Sequence, residues 1–197
     1  MDNKQMNILI AGVGGQGTVL CSRLIAAAAM EAGLFVRTAE TIGMAQRGGS
    51  VVSHVRTYSE KCSSMIPQGE ADILIAFEPA EAAANLKYLK PDGSLIFSPS
   101  PVYSSAPKNA AYDPSAVCNY LTNLRNKIYV IVFDPLSVAS AIGNPKVMNT
   151  VMVGAALGKG LLPFSIEDTE SAVRKIVKPT HVEINLAALR AGINAVI

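Results

Sequence analysis

The sequence predicts an α/β three-layer sandwich with a mostly parallel sheet and helices gathered at the C-terminal end. Two observations carry this. The run Asn7-Ile-Leu-Ile-Ala-Gly12-Val-Gly14-Gly15-Gln16-Gly17 passes from apolar residues through glycines into a helical pattern. That is the strand, turn and helix order of a mononucleotide-binding βαβ unit, so the sheet is Rossmann-like. Residues 72–77 (Asp-Ile-Leu-Ile-Ala-Phe) and 128–133 (Ile-Tyr-Val-Ile-Val-Phe) are nearly continuous apolar runs. Central parallel strands covered on both faces read this way.

The elements follow in order. A helix is expected over 17–32, with Gly33 at its C-terminal cap. A second strand covers 34–39 and ends at Glu40. Residues 51–57 alternate as a half-buried strand, with Val51, Ser53, Val55 and Thr57 on one face and Val52, His54 and Arg56 on the other. Residues 58–69 read as a loop, punctuated by Pro67 and Gly69. Glu78-Pro79 stops the strand at 72–77 and opens a helix over 80–89. Lys90-Pro-Asp-Gly93 reads as a turn before a strand at 94–98. Residues 98–112, rich in Pro, Ser and Ala, read as a surface loop. Asp113-Pro114 is an N-cap and first-turn pair for a helix to about residue 126. The run 128–133 is expected as the last central strand, stopped by Asp134-Pro135, with a short helix over 136–142. Small residues in 146–160 permit close helix packing. Ser165 to Asp168 and Thr180 to Glu183 both look like capping boxes for two closing helices.

The 197 residues fit one domain, 1–197. Half are hydrophobic and 16% charged, enough apolar material for a sizeable core and for a surface partly covered by a partner. A net charge of +2 and the absence of Trp argue against nucleic acid as a partner. Cys21, Cys62 and Cys118 are scattered and form no Cys-x-x-Cys, so the chain alone cannot ligate a four-cysteine iron–sulfur cluster. With only His54 and His181 besides, no metal site is expected. Free thiols, no signal peptide and no membrane span place the chain in the cytoplasm as an expectation. Cys21, Met44, Met148 and Met152 are expected in the core or an interface, and His54 as a satisfied buried histidine.

Two loops remain for chemistry. In the first, Gly12 is expected to turn the chain off the strand. Gly14 lacks a Cβ and lets backbone approach an anion, and Gly17 lets the helix pack on the strand. With Gly15 and Gln16 they present a helix N-terminus to a phosphate or carboxylate. The second is Glu40-Thr41-Ile-Gly43-Met-Ala-Gln46-Arg47-Gly48-Gly49-Ser50, expected at the carboxyl end of a strand beside the first. Arg47 either clamps an anion bidentately or makes a subunit salt bridge. Arg47, Gln46 and Glu40 form the candidate catalytic set. Gly12, Gly14, Gly15, Gln16, Gly17, Thr41, Gly48 and Gly49 form the candidate binding set. No Gly-x-Ser-x-Gly elbow and no Gly-x-x-x-x-Gly-Lys-Ser/Thr loop is present.

The strings Ala11-Gly-Val-Gly-Gly-Gln-Gly17, Gly43-Met-Ala-Gln-Arg-Gly-Gly49, Ile66-Pro-Gln-Gly-Glu-Ala-Asp72 and Asn149-Thr-Val-Met-Val-Gly-Ala-Ala156 resemble the gamma-type domain of the 2-oxoacid:ferredoxin oxidoreductases. Within that family the likeness is to the small subunits of indolepyruvate-type enzymes. The resemblance departs over 58–65, where family members carry a shorter Gly- and Pro-containing link. It implies the small subunit of a heteromer that decarboxylates a 2-oxo acid oxidatively, gives the acyl group to coenzyme A and passes electrons to ferredoxin. It also implies that thiamin diphosphate, Mg²⁺ and [4Fe–4S] clusters sit on a large partner subunit, with no cofactor held by this chain alone. Arg47 would contact an anion and Gln46 would orient it. Asp92-Gly93 and Asn119 imitate a thiamin diphosphate motif in spacing only, since Pro91 replaces its first glycine. Two other readings stand beside this one. One is a stand-alone NAD(P)-binding oxidoreductase, supported by the glycine fingerprint but opposed by the late position of Glu40. The other is an interaction module with an empty glycine turn.

Overall fold

A computed structural model of the chain describes residues 5–40, 49–58, 63–102 and 112–196. Its elements are β1 (Met6–Val13), α1 (Thr18–Glu31), β2 (Phe35–Glu40), β3 (Ser50–Tyr58), β4 (Ala71–Ala76), α2 (Pro79–Asn85), β5 (Leu89–Phe97), α3 (Pro114–Asn123), β6 (Tyr129–Val132), α4 (Pro135–Ala141), α5 (Met148–Gly158), α6 (Ile166–Ile176) and α7 (Val182–Asn194). The strands form one sheet in the order β2-β3-β1-β4-β5-β6. Pairings β1/β4, β4/β5 and β5/β6 are parallel, and β3 runs antiparallel to both neighbours. The expected α/β three-layer architecture is present, with a mostly parallel sheet.

The sheet differs from expectation at both ends. β3, not β2, lies beside β1. Ser53, His54, Val55 and Thr57 are all buried, so β3 has side chains to cover on both faces and takes an inner place. β2 carries an exposed Phe35 and Arg37 and takes the edge. At the other end, β6 is an edge strand rather than a central one. It has four residues and Tyr129 is 52% exposed.

Two local readings also change. The turn at 90–93 lies inside β5: Ala71 pairs with Leu89 and Ile73 with Ser94, so the extra residues bulge from the strand. Accordingly α2 stops at Asn85 and a 3-10 turn, Leu86–Tyr88, leads into β5. The capping box at Thr180 does not form. Pro179 fixes φ and starts a 3-10 turn, Pro179–His181, which takes Thr180 out of the extended conformation an N-cap needs. α7 therefore starts after His181 with no side-chain cap. The box at Ser165 and Asp168 forms with both reciprocal bonds.

Alternation along the strands divides the core between two faces. Ile8, Ile10, Ile73 and Ile75 face α1, α5, α6 and α7, in a cluster with Cys21, Leu24, Val151 and Leu189. Leu9, Ala11, Leu74 and Ala76 face α2 and α3, with Ala82 and Leu121. Val55 and Val52 of β3 fall in the first and second clusters respectively. The α5/α7 contact depends on two glycines. A Cβ on Gly154 would collide with the Leu189 carbonyl oxygen, and one on Gly192 with the Val151 carbonyl oxygen. Backbones thus touch directly, as the small residues in 146–160 suggest.

Buried single residues behave as expected. Cys21 is sealed in the core, and burial pushes its thiol well above the usual range. Met152 is fully buried and Met148 packs at the margin of the same cluster. His54 Nδ1 accepts a hydrogen bond from the Ile66 N–H at 3.2 Å, and its ring meets Tyr88 edge-on at 5.9 Å. Met44 lies outside the described residues.

Candidate functional site

α1 leaves β1 toward one face of the sheet, and α2 leaves β4 toward the other. β1 and β4 are neighbours and parallel. The crevice outside their carboxyl ends is therefore a topological switch point, where open α/β sheets bind ligands.

The glycine turn forms one wall. Gly15 and Gly17 adopt φ of 103° and 81°, the left-handed region that glycine enters without strain. Gly12 does a different job from the expected one. It sits within β1, and a Cβ there would come 2.7 Å from Thr18 Cγ2 and 3.2 Å from Phe77 Cβ. It is small because β4 and α1 press on it, not because the chain turns there. Gly17 lies against α5 rather than the strand: a Cβ would come 2.6 Å from Asn149 Nδ2. Gln16 fastens the turn. Its Oε1 accepts from the Val13 N–H at 2.7 Å, and its Nε2 donates to the Phe77 carbonyl at 2.9 Å.

The second loop is anchored to the first. The Gly14 N–H donates to the Gly49 carbonyl at 2.9 Å, so Gly14 spends its donor on the chain itself. Ser50 begins β3 opposite Val13, and its Oγ donates to Glu81 Oε2 at 2.6 Å. Glu40 ends β2 at the sheet edge and accepts a 3.2 Å bond from Ser22 Oγ of α1. β3 separates it from β1, so it stands apart from the glycine turn. Thr41, Gln46, Arg47 and Gly48 lie outside the described residues.

The other wall holds two carboxylates that sequence reasoning missed. Glu78 follows β4 and is 2% exposed. Its Oε2 accepts from the Glu81 N–H at 2.9 Å and caps α2, while Oε1 is buried without a hydrogen-bond partner. Burial raises its pKa, and the Glu81 carboxylate adds to the shift. Burial also raises the pKa of Glu81, against the hydrogen bond from Ser50. Cys118 of α3 feels Glu78 too: burial first, then that charge, pushes its thiol up. The signal for this pair was the spacing Glu78-Pro-Ala-Glu81 after a nearly continuous apolar strand. It places a cap and a second acid in one helical turn.

Chemically, this is a crevice of backbone dipoles, one helix N-terminus without a side-chain cap at α1, and two carboxyls whose pKa burial raises. It can bind and orient an anion. Among the described residues no group of three or more His, Cys, Asp or Glu could hold a metal ion. Cys21 is sealed in the core, so it does not fit a cluster ligand. Among the same residues no helix is long and apolar enough to cross a membrane.

Over residues 7–195 the chain matches the family described as pyruvate ferredoxin/flavodoxin oxidoreductase. It is 39% identical to the indolepyruvate oxidoreductase subunit IorB of Archaeoglobus fulgidus over 194 residues, 98% of this chain and 96% of that one. Its fold is similar to the crystal structure of a keto/oxoacid ferredoxin oxidoreductase gamma subunit from Geobacter sulfurreducens. The TM-score is 0.70 at 23% identity, covering 97% of this chain and 98% of that one. It is also similar to part of a 2-oxoglutarate:ferredoxin oxidoreductase from Magnetococcus marinus solved with 2-oxoglutarate, coenzyme A and succinyl-CoA bound. There the TM-score is 0.73 at 23% identity, covering 98% of this chain and 31% of that one.

Proposed function

The chain belongs to the pyruvate ferredoxin/flavodoxin oxidoreductase family, and from that premise we propose that it serves an enzyme acting on an aryl 2-oxo acid, indolepyruvate in particular. It is the small subunit of a 2-oxoacid:ferredoxin oxidoreductase. The observation that carries the substrate reading is the full-length identity to an indolepyruvate oxidoreductase subunit. The stand-alone nicotinamide reading gives way. The family match runs from residue 7 to residue 195, and β3 separates Glu40 from the glycine turn beside which a ribose would lie.

In this reading a large partner subunit carries thiamin diphosphate with Mg²⁺ and [4Fe–4S] clusters, which supply the carbanion and electron-transfer chemistry. This chain contributes position and electrostatics. The switch-point crevice faces the partner's active site. The glycine turn and loop 41–49 order the 2-oxo acid or coenzyme A and exclude water, with Arg47 on the anion and Gln46 beside it. Ferredoxin docks on the large subunit, and the complex works in the cytoplasm.

The test is anaerobic co-purification of the tagged chain from its own cells. The expected result is a large partner with a broad visible iron–sulfur absorbance, bleached by indolepyruvate plus coenzyme A. Bleaching by pyruvate or 2-oxoglutarate but not by indolepyruvate overturns the substrate reading. A colourless lone chain overturns the reading of the partner. Arg47→Ala in the intact complex is expected to lower kcat/KM by roughly a hundredfold, as loss of a charge-assisted anion contact does. Unchanged turnover removes Arg47 from the site.

A further inference from the structure

One edge of the sheet is almost without charge. Residues 93–102, 112–124 and 128–145 build the end of β5, α3, β6 and α4. Asp113 and Asp134 are the only charged residues among them, in a chain that is 16% charged. Both carboxylates are spent on helix caps. Asp113 Oδ1 accepts from the Ser115 N–H, and Asp134 Oδ1 accepts from the N–H groups of Leu136 and Ser137. α3 exposes Ala116, Asn119 and Tyr120, and α4 exposes Leu136, Ser137 and Ser140. The α6 and α7 faces differ: Arg174, Lys175 and Arg190 there are each in an ion pair.

The same edge is open and apolar. β6 pairs with β5 alone among the described strands. Of the usual guards of an open edge (a charge, a proline, a bulge, a short strand) β6 has only its four-residue length. The opposite edge, β2, holds Arg37 and Glu40. Tyr129 is 52% exposed and shares its strand face with Ile131, on the α4 side. Val132 shares its face with Val130, on the α3 side. Tyr120 at 55% and Leu136 at 40% exposure extend the patch onto both helices.

The patch continues to the candidate site. A hollow of about 490 Å³ opens between the segment after β5 and the start of α3, lined by Pro99, Pro101, Pro114, Ser115, Cys118 and Asn119. The Cys118 thiol feels the charge of Glu78, so the hollow adjoins the crevice wall. Tyrosines and aliphatic groups with few charges are what the centres of protein–protein interfaces hold. The same fold occurs both as a separate chain and as part of a larger one. The Geobacter sulfurreducens chain is matched over 98% of its length, whereas the unit is 31% of the longer Magnetococcus marinus chain. A covalent link keeps a neighbour at high local concentration, and a separate subunit must hold that neighbour by its surface alone.

We propose that the β6 edge, flanked by α3 and α4, is the surface that docks on the large subunit of this enzyme. Apolar side chains of the partner cover Tyr120, Tyr129, Val132 and Leu136, and the hollow at Cys118 receives one of them. Arg125 and Lys127, just ahead of β6, form a basic rim. Docking here turns the adjoining crevice toward the partner. The inference rests on the reading of the chain as one subunit of a heteromer, and adds which face meets the partner.

The experiment is anaerobic purification of the tagged chain from its own cells. The large subunit is identified by size and measured by iron–sulfur absorbance per tagged chain. Tyr120→Asp/Tyr129→Asp places two charges in the patch, on side chains that are already half exposed. Phe35→Asp does the same at the β2 edge as a control. The expected result is loss of the large subunit by about tenfold or more in the double variant and no loss in the control. Tyr120→Asp alone, on the exposed face of α3, is expected to lose about tenfold as well. It decides the matter if circular dichroism shows that a charge on the edge strand unfolds the chain. Wild-type retention of the large subunit in the folded variants, or an equal loss in Phe35→Asp, overturns the proposal. A wild-type chain that self-associates, with a double variant that is monomeric yet still holds the large subunit, makes this face a contact between copies and also overturns it. A wild-type chain that brings down no large subunit refutes the heteromer reading and takes the proposal with it. That failure is visible before any variant is made.

Discussion

Gln16 and Phe77 are joined by a 2.9 Å hydrogen bond from the side-chain amide to the carbonyl, while the same amide's oxygen accepts from the Val13 N–H at 2.7 Å. One side chain thus ties the ends of β1 and β4 across the switch point. Gln16→Ala leaves two partly buried backbone groups without partners. We expect a loss of about 1–3 kcal/mol in chemical denaturation. A change under about 0.3 kcal/mol would show that water replaces the clip without cost.

The bond from Ser50 Oγ to Glu81 Oε2 holds the residue that follows loop 41–49, and Gly14 holds Gly49. Removing the first anchor loosens loop placement while the core stays intact. Ser50→Ala and Glu81→Ala are each expected to lower kcat/KM of the complex by about tenfold, through a small displacement of positioned groups. Melting temperatures should move little. Glu81→Gln keeps an acceptor and should restore most activity. Equal losses in Gln and Ala variants would sink the hydrogen-bond explanation.

His54 titrates with a definite sign. Burial, then the Arg56 charge, lowers its pKa below the ordinary 6.5. Between the folded and unfolded values the unfolded chain binds the proton first. Stability is therefore present above about pH 6.5 and is lost as pH falls through that window. His54→Gln retains an acceptor for the Ile66 N–H and cannot ionise. Denaturation midpoints of wild type and variant should diverge below about pH 6.5, with wild type falling faster. Parallel curves would mean that His54 is not the titrating group.

Gly154→Ala and Gly192→Ala insert a methyl where α5 and α7 touch backbone to backbone. Neither clash can be relieved by a side-chain rotamer, because the obstacles are the Leu189 and Val151 carbonyl oxygens. Each substitution should cost about 3 kcal/mol or more, in the range of severe overpacking. Gly143→Ala serves as a contrast: a Cβ there meets nothing within 4 Å, and its only burden is φ of 87°. It should cost about 1–2 kcal/mol. Equal effects at all three positions would contradict the close-packing account.

Along the chain, much was legible from local signals. Apolar runs at 72–77 and 128–133, the glycine turn, and acid-proline pairs at 113 and 134 each name an element, because period, caps and turn chemistry are written in neighbouring residues. Tyr129 shows the limit. An apolar run reads as central, but its place at the edge depends on which strands have faces left to cover. The Thr180 motif shows another: a capping sequence was overruled by Pro179 one residue before it.

The site was half legible. The glycine turn and loop 41–49 could be named because their compositions are unusual, and the string around Gly43 to Gly49 carries the family. What tertiary structure alone decided is which groups meet. Gly12 is small because of Phe77, 65 positions on, and Gly17 because of Asn149 in α5. Glu78 became a buried, half-satisfied carboxyl only through burial at the end of β4. Sequence alone determined most of the elements and the family, because both are encoded in short contiguous patterns. The roles of single polar atoms depended on distance and desolvation between segments far apart in the chain, and only the packed fold sets those.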